Sequence, residues 1–254
     1  MRRYDRLPLS ITEREYLHTA RLLLLGAGAV GANVGLLLLR CGVASKSPGM
    51  LYVVDGDRVS EENRASQPYF YRQCDCPKVD AFRELAEQIA PQTNGCFWAR
   101  ELDGSDIDYV SRIAATVDLV LFAIDSFDLV LRLSDAINAP QVAAFLGPRG
   151  AEAEVAFFVP GITPPLRSTL ARSGGLSRLP AEQVLPTRVL ATAAYVADVV
   201  VELLLSRVER SKRRANIVPL FADCPVHVLG FERSGLFTNR PCHETRSVLM
   251  VQKQ

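Results

Sequence analysis

Residues 22–31 read LLLLGAGAVG, an apolar strand run that breaks into G-x-G-x-x-G. In that pattern Gly26 permits the tight turn after the strand, and Gly28 lets the backbone approach a phosphate or ribose. Gly31 lets the following helix pack close to the sheet, with its positive N-terminus toward an anion. The next strand runs into DGD at residues 55–57, where Asp55 can accept hydrogen bonds from ribose hydroxyls. Two more groups stand at comparable places. Lys78 follows Pro77 at the start of an amphipathic segment, and Asp125 ends the apolar run DLVLFAID. In a doubly wound sheet the carboxyl ends of the strands line one crevice, so these groups are expected to converge there. A nicotinamide enzyme needs the glycines and one acid, and gains nothing from the lysine and the second aspartate. A nucleoside triphosphate uses both, because lysine neutralises phosphate charge and a carboxylate holds Mg²⁺. The chain has no G-x-x-x-x-G-K-[ST], so the expected chemistry is attack at the α-phosphate, giving an acyl-adenylate. An NAD(P)-dependent oxidoreductase remains the competing reading, with Lys78 and Asp125 left idle.

The elements that would position these residues alternate strand and helix, the signature of a parallel sheet with crossover helices. Strands are expected at 22–25, 51–55, 96–102 and 118–124, and helices at 32–40 and 78–90. The second helix carries Val79, Phe82, Leu85 and Ile89 at helical spacing and is stopped by Pro91. Two further strands, 142–146 and 155–159, flank the turn GPRG. Residues 161–186 are rich in Pro, Gly, Ser and Arg without periodicity and read as a long mobile crossover loop. A helix at 187–207, the basic run ERSKRR, and strands near 217–221, 226–231 and 248–251 complete the chain. The expected fold is α/β: a doubly wound, mostly parallel Rossmann-like sheet with a C-terminal mixed β extension. It forms one domain over 1–254, with a nucleotide-binding core at 1–160 and the C-terminal helix and strands at 187–254.

Composition excludes several classes. The 254 residues are 48% hydrophobic and 22% charged with a net charge of +1, so no global basic excess points to nucleic acid. The longest apolar stretch, 189–205, is interrupted by Asp198 and Glu202 and reads as a buried helix, not a membrane span. Residues 1–16 contain no apolar signal core, and six cysteines at irregular spacing fit reduced thiols; a cytoplasmic location is expected.

The motifs RYDR at 3–6, GAGAVG, DGDRVSEEN, Pro77-Lys78 and LVLFAIDS, in this order, resemble the ThiF/MoeB/HesA proteins, bacterial relatives of the ubiquitin-activating enzymes. The resemblance covers about residues 3–160. It implies an ATP-dependent adenylyltransferase acting on the C-terminal carboxylate of a ubiquitin-like or sulfur-carrier protein. A small molecule, a peptide or a tRNA base is the nearby alternative. By resemblance Asp55 holds the ribose, Asn63 and Lys78 the triphosphate, and Asp125 the Mg²⁺. Arg6 reaches into a neighbouring subunit's site, which implies a homodimer. Gly26, Gly28, Ala29, Gly31, Asp55, Asp57, Asn63, Arg64, Lys78 and Ser126 form the expected nucleotide-binding set, and Asp125, Lys78 and Arg6 the expected catalytic set. The chain departs from the family pattern at Ser66, which stands where a phosphate-binding arginine is usual; Arg64 and Arg72 are the nearby replacements. That departure also admits a silent nucleotide-binding partner subunit. The crossover loop has no cysteine for a thioester, and the family's paired C-x-x-C is absent.

Two clusters lie apart from this set. Cys224, His227, Cys242 and His243 offer two sulfurs and two nitrogens, the donor set of a tetrahedral Zn²⁺, though their spacing matches no standard signature. Cys74 and Cys76 flank Asp75 in a short loop that reads as a plain turn or as a thiol site.

Overall fold

Four consecutive leucines in RLLLL, pointing in turn to the two sides of a strand, already require two covered faces. In the computed structural model, which describes residues 4–147, 150–172, 184–208, 225–231 and 237–241 (the last by backbone), both faces are filled. Strand β1 (Arg21–Leu25) sends Leu22 and Leu24 into one hydrophobic cluster and Leu23 and Leu25 into the other. Strands β2 (Met50–Asp55), β3 (Gly95–Ala99), β4 (Leu119–Phe122) and β5 (Gln141–Leu146) pair parallel in the order β3-β2-β1-β4-β5. Helices α1 (Ile11–Thr19), α2 (Ala29–Arg40), α3 (Lys78–Ile89) and α7 (Pro186–Leu205) cover one face. Helices α4 (Ile107–Ala114), α5 (Phe127–Ala136) and α6 (Leu166–Arg172) cover the other. Burial on both sides is why these strands are continuous apolar runs and not alternating ones.

The mixed extension begins earlier than expected. β6 (Glu152–Phe158) already runs antiparallel to β5, and β7 (Val226–Phe231) and β8 (Phe237–Pro241) continue antiparallel to an eight-stranded sheet. The turn at residues 147–151 is short enough for a hairpin return and too short for a crossover helix. The segment 161–186, expected to lack regular structure, contains α6. Its Leu166 and Leu170, four residues apart, bury on one side against the α5 face. The expected strands at 217–221 and 248–251 and the basic run after Val208 lie outside the described residues.

α1 is opened by a capping box: Ser10 Oγ accepts from Glu13 N at 3.2 Å, and Glu13 returns a bond to Ser10 N at 2.8 Å. Its last turn buries His18 (7% exposed) against the Tyr4 ring, centroids 5.0 Å apart. Neither ring nitrogen of His18 has a hydrogen-bond partner among the described residues, the Glu15 carboxylate standing 3.9 Å from Nδ1. Burial, and then the Lys46 charge, hold its pKa below the ordinary imidazole value, against the pull of Glu15. Lowered means neutral in the fold, so the unfolded chain takes up the proton first as the pH falls. The contribution to stability is complete above about pH 6.5 and is lost as the pH drops through the folded value. Thermal denaturation followed from neutral pH toward pH ~5 is expected to show a falling Tm. His18→Phe should flatten that slope.

The packing of α2 on the sheet leaves no room at Gly31. A Cβ there would lie 2.0 Å from Gly26 O and 3.0 Å from Ala123 Cβ, and the first is backbone that cannot swing aside. Gly31→Ala is expected to destabilise by at least about 2 kcal/mol, lowering Tm by roughly 4–8 °C in a chain of this size. Gly28→Ala, whose Cβ meets nothing within 4 Å, should leave Tm nearly unchanged. Circular dichroism melts of the two variants check the contrast.

Candidate functional site

The strand order places the topological switch point between β1 and β4, where crossovers depart in opposite directions and a crevice opens at the carboxyl ends. A cavity of about 700 Å³ lies there. Its floor is the glycine-rich turn. Gly26 sits at φ +98°, a conformation in which a side chain would also strike Ala123 O at 2.3 Å. Gly26 N donates to Val54 O (2.9 Å), and the buried Tyr69 hydroxyl donates to Ala27 O (2.6 Å). Burial drives the Tyr69 phenol pKa far up, with the Asp55 charge adding to the effect, so it stays a donor at any working pH. Gly28 caps α2 without a side-chain bond, the first-turn amides have no intrahelical acceptor, and Gly28, Ala29 and Val30 line the cavity.

Asp55 closes the turn from the β2 side. Its two carboxylate oxygens accept from Ala27 N (2.6 Å) and Asp57 N (2.8 Å). Burial raises its pKa, opposed by the Ala27 N–H and the Lys78 ammonium. Lys78 is itself buried (6% exposed) at the first position of α3. Its Nζ donates to Asp57 Oδ2 at 2.6 Å and its backbone N–H to Asp57 O at 2.9 Å. Asp57 is largely exposed, so the ammonium is held at the cavity wall by one solvated carboxylate.

Asn63 lies in a short 3-10 turn (Glu62–Ala65) and lines the cavity with Ser66 and Gln67. Its carbonyl accepts from Ser66 N (3.2 Å) and Gln67 N (3.0 Å). Gln67 Oε1 is buried with no hydrogen-bond partner among the described residues, an open position for a donor. On the opposite wall β4 delivers Asp125 and Ser126, both exposed. Ser126 Oγ, not Asp125, caps α5 by accepting from Leu129 N (3.4 Å), which leaves the Asp125 carboxylate uncommitted to the helix.

The structure therefore brings Gly26, Gly28, Ala29, Asp55, Asp57, Asn63, Lys78, Asp125 and Ser126 around one space. Gly31 serves packing and does not line it. Arg64 and Arg72 do not line it either. The Arg64 guanidinium lies 5.2 Å over the Tyr71 ring, and Arg72 pairs with Glu84 while covering Phe70. The second cation lining the cavity is Arg100, which the sequence reading missed. Its backbone follows Ala99, the register partner of Asp55, and the same strand-end reasoning applied to β3 would have found it. Arg100 Nε donates to the buried Asp106 at 2.8 Å and the guanidinium lies 4.9 Å over Tyr109, so it is braced on two sides.

Arg6 is exposed and does not line the cavity of its own chain. Tyr4, two residues before it, is anchored near the far end of α2, its hydroxyl on Leu39 O at 3.5 Å and accepting from Gln92 Nε2 at 2.7 Å. Leu39 and Gly28 are separated by eleven helical steps, about 16 Å along the axis. His227 is buried in β7, with Nδ1 on the Tyr195 hydroxyl and its ring edge-on to Phe157. Cys224, Cys242 and His243, its expected zinc partners, lie outside the described residues. Among the described residues no group of three or more His, Cys, Asp or Glu is placed to hold a metal ion. The Asp125 carboxylate still suits Mg²⁺, which takes one or two protein carboxylates and completes its shell with phosphate and water. No helix among the described residues is long and apolar enough to cross a membrane.

This fold is shared with solved structures. The chain superposes on Escherichia coli MccB with ATP at a TM-score of 0.67 and 17% identity, covering 91% of this chain and 66% of that one. E. coli MccB with AMPCPP and MccA gives the same values. PaaA gives a TM-score of 0.67 at 16% identity, again over 91% and 66%. The chain thus spans just under two thirds of the length of these neighbours. No curated protein sequence is a match. The sequence pattern of the ThiF family, however, matches residues 5–223, from the N-terminal arm through the whole parallel sheet and beyond α7, and the chain belongs to the ThiF family.

Proposed function

We propose that the protein is an ATP-dependent adenylyltransferase that activates a chain-terminal carboxylate as its acyl-adenylate. The acceptor is a peptide or a small protein of the ubiquitin-like or sulfur-carrier kind. The supporting observation is the convergence, around one cavity, of the α2 amides, the buried Lys78 with its solvated partner Asp57, and the uncommitted Asp125. Family membership and the ATP- and MccA-bound MccB neighbours point the same way.

The donor set fits a nucleoside triphosphate. Asp55 keeps acceptor capacity for ribose hydroxyls beyond its two backbone bonds. The α2 N-terminus and Lys78 supply positive charge for phosphate oxygens, and the Arg100 guanidinium supplies a second side-chain cation. Mg²⁺ held by Asp125 would screen phosphate charge. The acceptor carboxylate attacks the α-phosphorus and pyrophosphate leaves. Lys78 offsets the charge that builds on the leaving group, and Asp57 keeps the ammonium in place while the site is empty. A homodimer completes the site in this reading. Arg6 cannot enter its own cavity from where Tyr4 holds the arm, so it serves a second copy. The cytoplasm is the proposed location.

ATP–pyrophosphate exchange with candidate acceptors tests the proposal. Acceptor-dependent exchange is the expected result. ATP binding without exchange across peptide, protein and tRNA acceptors would leave a binding-only subunit, the reading that Ser66 favours. Tight NADH binding in place of ATP would return the chain to the oxidoreductases.

A further inference from the structure

Cys74 and Cys76 are half-buried free thiols on either side of Asp75. Asp75 sits at φ +65°, left-handed for a residue with a side chain. The turn is hydrogen-bonded to the segment that follows Asp57, beside the cavity-lining Asp57 and Lys78. Asp75 N donates to Val59 O and Val59 N to Cys76 O, each at 2.9 Å, while the Arg58 guanidinium grips Asp75 O. Arg58 and Pro77 form an isolated bridge, and the next residue is Lys78, whose N–H is held by Asp57 O. The thiol pair is thus two residues and one backbone splice from the ammonium of the candidate nucleotide site.

Cysteines one residue apart have Cα atoms separated by at most about 7 Å, and the turn at residues 74–75 shortens that span into the range a disulfide bridges. A bend at Asp75, which its turn conformation supplies, favours such a ring over an extended triplet, whose ends lie near the far limit of that range. We propose that this turn is a reversible dithiol–disulfide site that closes on reaction with a low-molecular-weight disulfide and, when closed, disables the Lys78 side of the cavity. One thiolate of the pair attacks a sulfur of the small disulfide; that S–S bond breaks, and one small thiol departs and takes up a proton. The other cysteine thiolate then attacks the mixed disulfide at the protein sulfur and expels the second small thiol. The two cysteines lose two electrons and two protons, and the small disulfide is reduced to two thiols. Closure requires Cβ atoms about 3.8 Å apart, so the turn tightens around Asp75 and pulls on both Val59 bonds. Lys78 and Asp57 lie at the two ends of that splice.

Ring closure itself is independent of what the cavity binds; the loss of function rests on the nucleotide reading above. Trypsin cutting after Arg72 and Lys78 releases Gln-Cys-Asp-Cys-Pro-Lys, residues 73–78, with two of the six cysteines and no other. After treatment of the whole protein with glutathione disulfide, this peptide should be lighter by two hydrogen atoms, and dithiothreitol should restore it. The rise in Tm caused by Mg-ATP should vanish on oxidation and return on reduction. A Cys74→Ser/Cys76→Ser double variant should keep that rise under both conditions. A peptide that stays at the dithiol mass, or that carries glutathione on each cysteine, overturns the site. A closed ring with an unchanged ATP response overturns the coupling. Absence of any ATP response in the reduced protein would instead sink the nucleotide reading, while the peptide mass still decides the ring.

Discussion

Asp125→Ala is expected to abolish acceptor-dependent pyrophosphate exchange, with a loss of at least about a hundredfold, the scale on which a single transition-state charge contact acts. The carboxylate stands at the end of β4, exposed, across the cavity from Lys78. The neighbouring Ser126 carries the α5 cap, so removing the Asp125 carboxylate strips no helix end of its partner. Tm should move by no more than about 0.5 kcal/mol in equivalent stability. That separation makes the variant informative, because lost exchange with unchanged melting cannot be attributed to misfolding. Asp125→Glu is the companion. Its longer arm keeps the charge but shifts the ligand oxygen, so a partial loss relieved by Mn²⁺ in place of Mg²⁺ would mark a metal ligand. Exchange undiminished in Asp125→Ala would remove the metal assignment.

Much of this site is legible in the residues themselves because chain geometry leaves them little choice. An apolar run long enough for a strand, then glycines at fixed offsets, then an acid at the next strand end, has essentially one arrangement in an open α/β sheet. Asp55, Lys78 and Asp125 meet because each stands at the carboxyl end of a strand or the start of the helix that follows. What escapes such reading depends on pairing across the sheet or on short helices. Arg100 enters the cavity only because Ala99 is in register with Asp55. Helix α1 goes unread: its low apolar content hides the periodicity, and the Ser10–Glu13 capping box shows itself only in the structure. Helix α6 is two turns long, and a pair of leucines four apart is too weak a pattern to set against the prolines and glycines around it. The parallel-to-antiparallel change at β6 follows from the short connection between β5 and β6, too few residues for a crossover helix, which hydrophobic pattern alone does not reveal.

Arg6→Ala should likewise eliminate exchange, and mixing it with Asp125→Ala should bring activity back. Tyr4 pins the N-terminal arm beside Leu39 and Gln92, about 16 Å along α2 from the glycine turn. Arg6 follows within two residues and is exposed there. Its guanidinium contributes to catalysis only if a second copy presents its cavity to it, which an isologous two-fold interface does reciprocally. In such a dimer each site needs Arg6 from one subunit and Asp125 from the other. A heterodimer of the two dead variants then has one site lacking both groups and one site intact. With random exchange of equal amounts, half the dimers are mixed and about a quarter of all sites are whole. Recovery toward a quarter of the wild-type rate, appearing only after subunits have had time to exchange, is the expected result. If Arg6 instead acted in its own chain, every mixed site would lack one group or the other and the mixture would stay inactive. A wild-type rate in Arg6→Ala alone would place the arm outside the chemistry altogether.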